Sequence, residues 1–209
     1  MAKIGSFEKY TDRYEDWFDR NEYAYKSELK AIKGLLPLAT KGIEIGVGSG
    51  RFAIPLGIKF GVEPSTKMRG IARGRGVDIV AGIAEALPFK NYKFDIALMV
   101  TVICFVDNLA TSFKEAFRIL KPGACLLVSF IDRDSPGGEA YFQHRKENVF
   151  YREANFHSVA EVTTLLKEVG FRKLTFSQTI FRALSEIDGI ERIKPGYGEG
   201  SFVVVRAVK

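Results

Sequence analysis

Residues 43–50, Ile-Glu-Ile-Gly-Val-Gly-Ser-Gly, put an acid inside a short apolar strand and follow it with three alternate glycines. Gly46, Gly48 and Gly50 let the backbone bend sharply at positive φ and approach a ligand without Cβ interference, as in a nucleotide-cofactor turn after a first parallel strand. A dinucleotide fingerprint reads G-x-G-x-x-G with an acid roughly 20 residues later. Here the third residue after Gly48 is Arg51, the third glycine comes one residue early, and Glu44 precedes the turn. That pattern disfavours a nicotinamide or flavin dinucleotide.

From Gly42 onward apolar strand-like runs alternate with helical patterns, which is how a parallel sheet with crossover helices reads, so the fold class is α/β. Candidate strands are Gly42–Ile45, Ile58–Val62, Val77–Val80, Phe94–Val100 and Ala124–Phe130, with helices near Arg51–Leu56, Thr66–Arg73 and Leu109–Leu120. Pro122 and Gly123 stop the last helix and turn the chain into the next strand. Only 13 positions separate Gly50 from Glu63 and Pro55 falls between them, so the first crossover helix is short or distorted. Ser158 and Glu161 form a capping box ahead of Val162, Leu165, Leu166 and Val169, with Gly170 as the stop. Two strand patterns follow, Phe171–Phe181 and Ser201–Val208. With no crossover helix between them they run antiparallel, giving a seven-stranded sheet that ends in a hairpin.

A chain of 209 residues, 46% hydrophobic, fits a single domain. Within it, residues 1–40 read as an N-terminal helical cap, 41–131 as the cofactor-binding core, 132–157 as a substrate-side insertion and 158–209 as a C-terminal helix and hairpin. In the cap, Phe7, Tyr10, Tyr14 and Trp17 recur at helical spacing and place four rings on one face, either packed on the core or closing a pocket as a lid. Ala24–Leu36 reads as a second helix, stopped before Pro37. No apolar run reaches the roughly 18 residues of a membrane span, and no signal peptide opens the chain. Cys104 and Cys125 read as buried reduced thiols of a cytoplasmic protein. A net charge of +6 allows a nucleic-acid partner, but the basic residues are dispersed except for Lys67, Arg69, Arg73 and Arg75, which read as the solvated face of a helix.

A ligand at such a glycine turn sits beyond the carboxyl ends of the strands. After the second strand comes Val62-Glu63-Pro64-Ser65, where the two carboxylate oxygens of Glu63 suit a ribose diol. After the third comes Gly82-Ile83-Ala84-Glu85-Ala86-Leu87-Pro88-Phe89, and after the fourth Val100 and Thr101. Together with Phe94-Asp95 and Glu115-Ala-Phe-Arg-Ile-Leu-Lys-Pro-Gly123, this ordered set resembles the class I S-adenosylmethionine-dependent methyltransferases, type 11 (ubiquinone/menaquinone-biosynthesis-like) branch, from about Gly42 to Phe130. The resemblance implies a Rossmann-like, doubly wound sheet and S-adenosylmethionine as cofactor. It implies that Glu44 orients the methionine ammonium, that the Gly46–Gly50 turn passes under the methionine part, and that Glu63, with Pro64 and Ser65 beside it, holds the ribose. Gly82, Ile83, Ala84 and Glu85 would border the adenine, and Val100 and Thr101 the methionine end. The family usually has an aspartate where this chain has Ile83, so the adenine falls to backbone contacts and apolar packing.

The acceptor is harder to read. The Asn/Asp-Pro-Pro-Tyr of many amino-methylating enzymes is missing at Met99-Val100-Thr101-Val102, and Cys104 follows Ile103 rather than the proline of cytosine C5 enzymes. No metal cluster stands out. If a general base is used, the candidates are His144, Tyr14 and Tyr141, with Tyr10 a further guess and His157 more in keeping with a helix start. A small, partly apolar acceptor is the favoured reading. An RNA or protein acceptor, and a non-catalytic S-adenosylmethionine-binding module, are the alternatives.

Overall fold

A computed structural model describes residues 3–38 and 41–209. The first two residues of the expected cap, and its junction with the core at 39–40, lie outside the described residues. Strands β1 (Gly42–Ile45), β2 (Phe60–Val62), β3 (Asp78–Val80), β4 (Phe94–Val100), β5 (Leu120–Ile131), β6 (Arg172–Thr179), β7 (Lys194–Pro195) and β8 (Phe202–Val208) form one sheet in the order β3-β2-β1-β4-β5-β8-β6-β7. The strands β1 to β5 pair in parallel, while β8 runs antiparallel between β5 and β6. The count is eight rather than the expected seven. The extra strand is a two-residue edge piece containing Pro195, too short to leave an alternating pattern and placed where a missing N–H is tolerated.

The sheet is buried on both faces, as crossover connections require. Leu126, Val128, Val203 and Val205 pack with helix α5 (Leu109–Ile119) and helix α7 (Val159–Val169) on one side. Their neighbours Cys125, Leu127 and Val204 face the other side, against helix α3 (Glu22–Leu35) and helix α4 (Thr66–Gly74). The α7 capping box forms as expected, and Gly170 takes the left-handed conformation at its end. Helix α5 stops at Ile119, before Pro122, and Leu120 already pairs with Phe94. The residues Lys121–Ala124 are a bulge inside β5, so Pro122 and Gly123 shape the strand rather than end the helix.

Between Gly50 and β2 the chain makes successive hydrogen-bonded turns instead of a regular helix. Pro55 has no N–H to give to the carbonyl of Arg51, and the Tyr25 hydroxyl of α3 donates to that carbonyl instead. The N-terminal aromatic helix is also interrupted. Helix α1 (Gly5–Lys9) ends at Tyr10, and helix α2 (Thr11–Arg20) starts after it, because the Thr11 hydroxyl donates to Phe7 O (2.8 Å), the acceptor a continuous helix would offer to the Thr11 N–H. The break shifts the helical phase, so the buried ring of α2 is Phe18, which meets Tyr14, Trp17, Tyr25 and Phe52 edge-on. Among the described residues no helix is long and apolar enough to cross a membrane.

Candidate functional site

One large cavity, about 480 Å³, opens beyond the carboxyl ends of β1 to β5. The sheet reverses its winding between β1 and β4, and a crevice forms where the chains leave in opposite directions. The size suits a ligand of nucleoside dimensions or larger. Its floor holds Gly46, Gly48, Glu63, Pro64, Gly82, Ile83, Ala84, Glu85, Val100 and Thr101, ten of the expected cofactor residues. The other three, Glu44, Gly50 and Ser65, lie behind this surface.

All three glycines of the turn have positive φ. A Cβ on Gly46 would come 2.3 Å from Val102 Cγ2, and one on Gly50 3.1 Å from Val77 Cγ2. Those two glycines are demanded by the turn and by packing within the protein, whereas a Cβ on Gly48 would meet only the Tyr14 ring and hydroxyl across the cavity. The Gly48 N–H donates to Glu63 Oε2 (3.0 Å) and the Ser65 N–H to Glu63 Oε1 (2.9 Å). Each oxygen keeps an acceptor position for a ligand hydroxyl. Burial raises the Glu63 pKa, against the pull of these two amides and of Arg69. Ser65 itself is fully buried, and its hydroxyl accepts the Met68 N–H (3.2 Å) as the α4 cap, so it serves the site through its amide.

Glu44 is 1% exposed, and its Oε2 has no hydrogen-bond partner. Burial and then the charge of Glu63 push its pKa well up. An orphaned carboxylate oxygen under a glycine turn is costly unless a ligand cation or donor meets it. Thr101 is strained. Its φ of +50° is rare for a β-branched residue, and it is held by its N–H to Ser129 O (2.8 Å) at the end of β4. Ile83 is 37% exposed and presents an apolar surface where an acid was expected from related chains. Glu85 borders the cavity but its Oε1 already accepts the N–H groups of Asp107 (2.7 Å) and Asn108 (3.2 Å), holding the start of α5.

The roof comes from the N-terminal helices and from residues 132–157, which include helix α6 (Pro136–Gln143). Phe7 packs on Phe105 and Phe150, with centroids 5.0 and 5.3 Å away, while the Ser6 hydroxyl donates to Val149 O (2.6 Å). On the other side Glu8 accepts the backbone N–H of Thr66. Helix α1 therefore straps the two edges of the cavity together. Arg75 of the expected solvated cluster instead donates to Ser49 O (2.8 Å) and pairs with Glu15, and Arg69 donates to Glu63 O (2.9 Å), so both brace the floor.

Of the candidate bases, Tyr14 and Tyr141 line the cavity, and burial raises the pKa of both, so they remain neutral phenols. His144 does not line the cavity. It is exposed, with its Nδ1 3.0 Å from Ala140 O. Tyr10 sits at the break between α1 and α2, and His157 lies 3.6 Å from Glu161 beside the α7 cap, neither on the cavity wall. Both cysteines are buried and free. Sequence reasoning missed Glu28, a carboxylate of α3 that is 8% exposed and lines the cavity, with its pKa pushed up to about 8 by burial. Its signal was present: Ala24, Ser27, Glu28, Ala31 and Ile32 share the buried stripe of α3 at helical spacing.

Residues 43–128 match the methyltransferase domain family model of type 11. The chain is 45% identical to an uncharacterized protein of Methanocaldococcus jannaschii, over 97% of this chain and 98% of that protein. A solved structure from Thermotoga maritima, a SAM-dependent methyltransferase and possible histamine N-methyltransferase, is 50% identical, covers 99% of each chain and superposes with a TM-score of 0.96. The demethylmenaquinone methyltransferase of Chlorobaculum parvum is 26% identical over 76% of each protein. This chain is a class I S-adenosylmethionine-dependent methyltransferase and belongs to the type 11 family.

Proposed function

We propose that the protein methylates a small, partly apolar acceptor held under its aromatic roof. The observation that carries this reading is a single cavity running from the carboxylates at the strand ends to the rings of α1, α2 and residues 132–157. The cofactor suits the floor: Glu44 has an unpartnered buried oxygen for an ammonium, and Glu63 has acceptor positions for a diol beside an amide-lined glycine turn. Gly82, Ile83 and Ala84 would border the adenine, and Val100 and Thr101 the methionine end. Bound there, S-adenosylmethionine supplies an activated methyl group on a positively charged sulfur.

The chain's own work is placement and exclusion of water. An in-line displacement needs the acceptor atom roughly 3 Å from the methyl carbon, and a closed, fixed pocket supplies that proximity. Phe7, Phe105 and Phe150 close the roof over this point, and the strap from Ser6 to Val149 keeps them shut. In this reading residues 132–157 are the acceptor-side wall and 41–131 the cofactor-binding core. Calorimetry on protein stripped of copurified cofactor is expected to show S-adenosylmethionine binding, and methyl-labelled cofactor is expected to label a component of a metabolite extract. Label in RNA or protein alone would replace the small-molecule reading, and binding without any transfer would leave a non-catalytic module.

A further inference from the structure

Glu28 has no place in the contacts described for the cofactor. Its side chain is more than nine-tenths buried, faces the cavity, and forms no hydrogen bond or ion pair with any described residue. The charge of Glu28 reaches the hydroxyls of Tyr14 and Tyr25 on the helical side and of Tyr141 and Tyr151 on the opposite wall. The basic residues on the cavity wall, Lys3, Arg13 and Arg20, do not offset its burial, and Arg20 pairs outward with Asp16 (3.6 Å). A carboxylate kept inside an apolar wall without a cation is strongly unfavourable unless a ligand brings the counter-charge.

Resting on the methyl-transfer reading, we propose that Glu28 anchors the acceptor as an ammonium and accepts its proton, so that the acceptor is an amine carried on a flat, apolar body. Two features beyond the carboxylate select a cation over a neutral group. The rings of Tyr14, Trp17, Phe105, Tyr141 and Tyr151 surround the acceptor side, and ring faces attract a desolvated cation. Glu44 and Glu63 lie at the strand ends with the cofactor floor, and Glu85 is engaged by the N–H groups of Asp107 and Asn108, so Glu28 is left for the acceptor. With its pKa at about 8, Glu28 is matched to an ammonium far better than an ordinary carboxylate, and no tyrosine in the cavity can take its place as base.

The step balances. The N–H bond of the ammonium breaks as the O–H bond of Glu28 forms, which leaves a lone pair on nitrogen. The lone pair forms the new N–C bond while the S–C electron pair returns to sulfur, so the positive charge passes from sulfur to the methylated nitrogen. Glu28 then releases its proton to water at the cavity mouth.

The test uses phenethylamine and its neutral counterpart phenethyl alcohol, titrated into the full chain loaded with S-adenosylhomocysteine at about pH 9, where Glu28 is ionised and a primary ammonium still holds its proton. Trp17 is the only tryptophan and lines the cavity, so its fluorescence reports occupancy directly. The amine is expected to bind at least about tenfold tighter than the alcohol, as a hydrogen-bonded charge pair requires, and Glu28→Gln to shrink that preference to within about twofold. The affinity of both proteins for S-adenosylhomocysteine is expected to be equal. Equal binding of the two probes by the wild-type chain, no saturable binding of either, or an amine preference that survives in Glu28→Gln overturns the proposal. The wild-type comparison needs no variant to fold. Failure to bind S-adenosylhomocysteine would remove the methyl-transfer reading as well, whereas S-adenosylhomocysteine binding without an amine preference removes only the role of Glu28.

Discussion

The floor of the cavity is built from strand ends that the sheet register fixes, and its roof from helices and loops held on by side chains. On the floor, Gly46, Glu63 and Thr101 are each tied by backbone hydrogen bonds into the ladder or the turn beside it, as the Gly46 N–H to Val62 O (2.8 Å) illustrates. On the roof, α1 is anchored by the Ser6 hydroxyl, the Glu8 carboxylate and the Phe7 ring. Backbone anchoring fixes polar groups closely and tolerates little change. Side-chain anchoring permits opening and lets the wall vary with the acceptor. A methyl-transfer enzyme needs both, since the donor is constant and the acceptor must enter and leave.

The roof is nevertheless part of the core at one point. Phe18→Ala removes the ring that joins α2 to Tyr25 and Phe52, and a buried Phe→Ala change costs about 3 to 5 kcal/mol. Denaturant unfolding is expected to show a loss in that range. A loss under about 1 kcal/mol would mean that α2 is a detachable lid rather than a packed layer.

The next largest effect is electrostatic. Glu28 has a folded pKa of about 8 against an ordinary value of about 4.5, so between those values the folded chain holds a proton that the unfolded chain releases. Stability present below about pH 4.5 is therefore lost as pH rises through about 8. Glu28→Gln should remove this contribution and gain several kcal/mol, at most about 5, relative to wild type above pH 8, measured by unfolding at a series of pH values. Glu44 and Glu63 are shifted upward as well, so a shallower slope of the same sign remains. An unchanged slope in Glu28→Gln would place its carboxylate in water.

On the floor, Glu63→Ala removes the acceptor of two amides and of the expected ribose hydroxyls. Hydrogen bonds to a charged group contribute about 1.5 to 3 kcal/mol each, so cofactor affinity is expected to fall by at least about tenfold with the fold intact. Calorimetry with S-adenosylhomocysteine reads this directly, and equal affinity would end the ribose role.

The same contrast governs how much of the site is legible in the sequence. Strand-end residues follow the strand by fixed offsets, so the order of residues alone puts Glu63, after Val62, and Thr101, after Val100, on the cavity floor. His144 and Phe18 have no such offset. His144 sits in a helical stretch whose facing depends on how residues 132–157 dock, and Phe18 reaches the core only because the helix breaks at Tyr10. The additional strand β7 is two residues long and leaves no pattern at all. Glu28 is intermediate, since its position on the apolar stripe of α3 is visible, but with Lys26 and Lys30 close to it the inward turn of its carboxylate emerges only from the packing of α3.

Ser65 is where the two kinds of anchoring meet, and it carries the smallest expected effect. Its position after Glu63 suggests a cofactor contact, yet its hydroxyl is turned away from the cavity to cap α4, and only its backbone N–H serves Glu63. Ser65→Ala deletes the cap and keeps the amide. The expected cost is about 1 kcal/mol of stability, the usual value for an N-cap serine, with Glu8 still holding the Thr66 N–H at the same helix end. Cofactor affinity is expected to fall far less than in Glu63→Ala, because the carboxylate keeps both of its amide donors. If Ser65→Ala instead matched Glu63→Ala in calorimetry, the serine hydroxyl would have to turn toward the ligand on binding, and the floor would be less fixed by the backbone than its hydrogen bonds indicate.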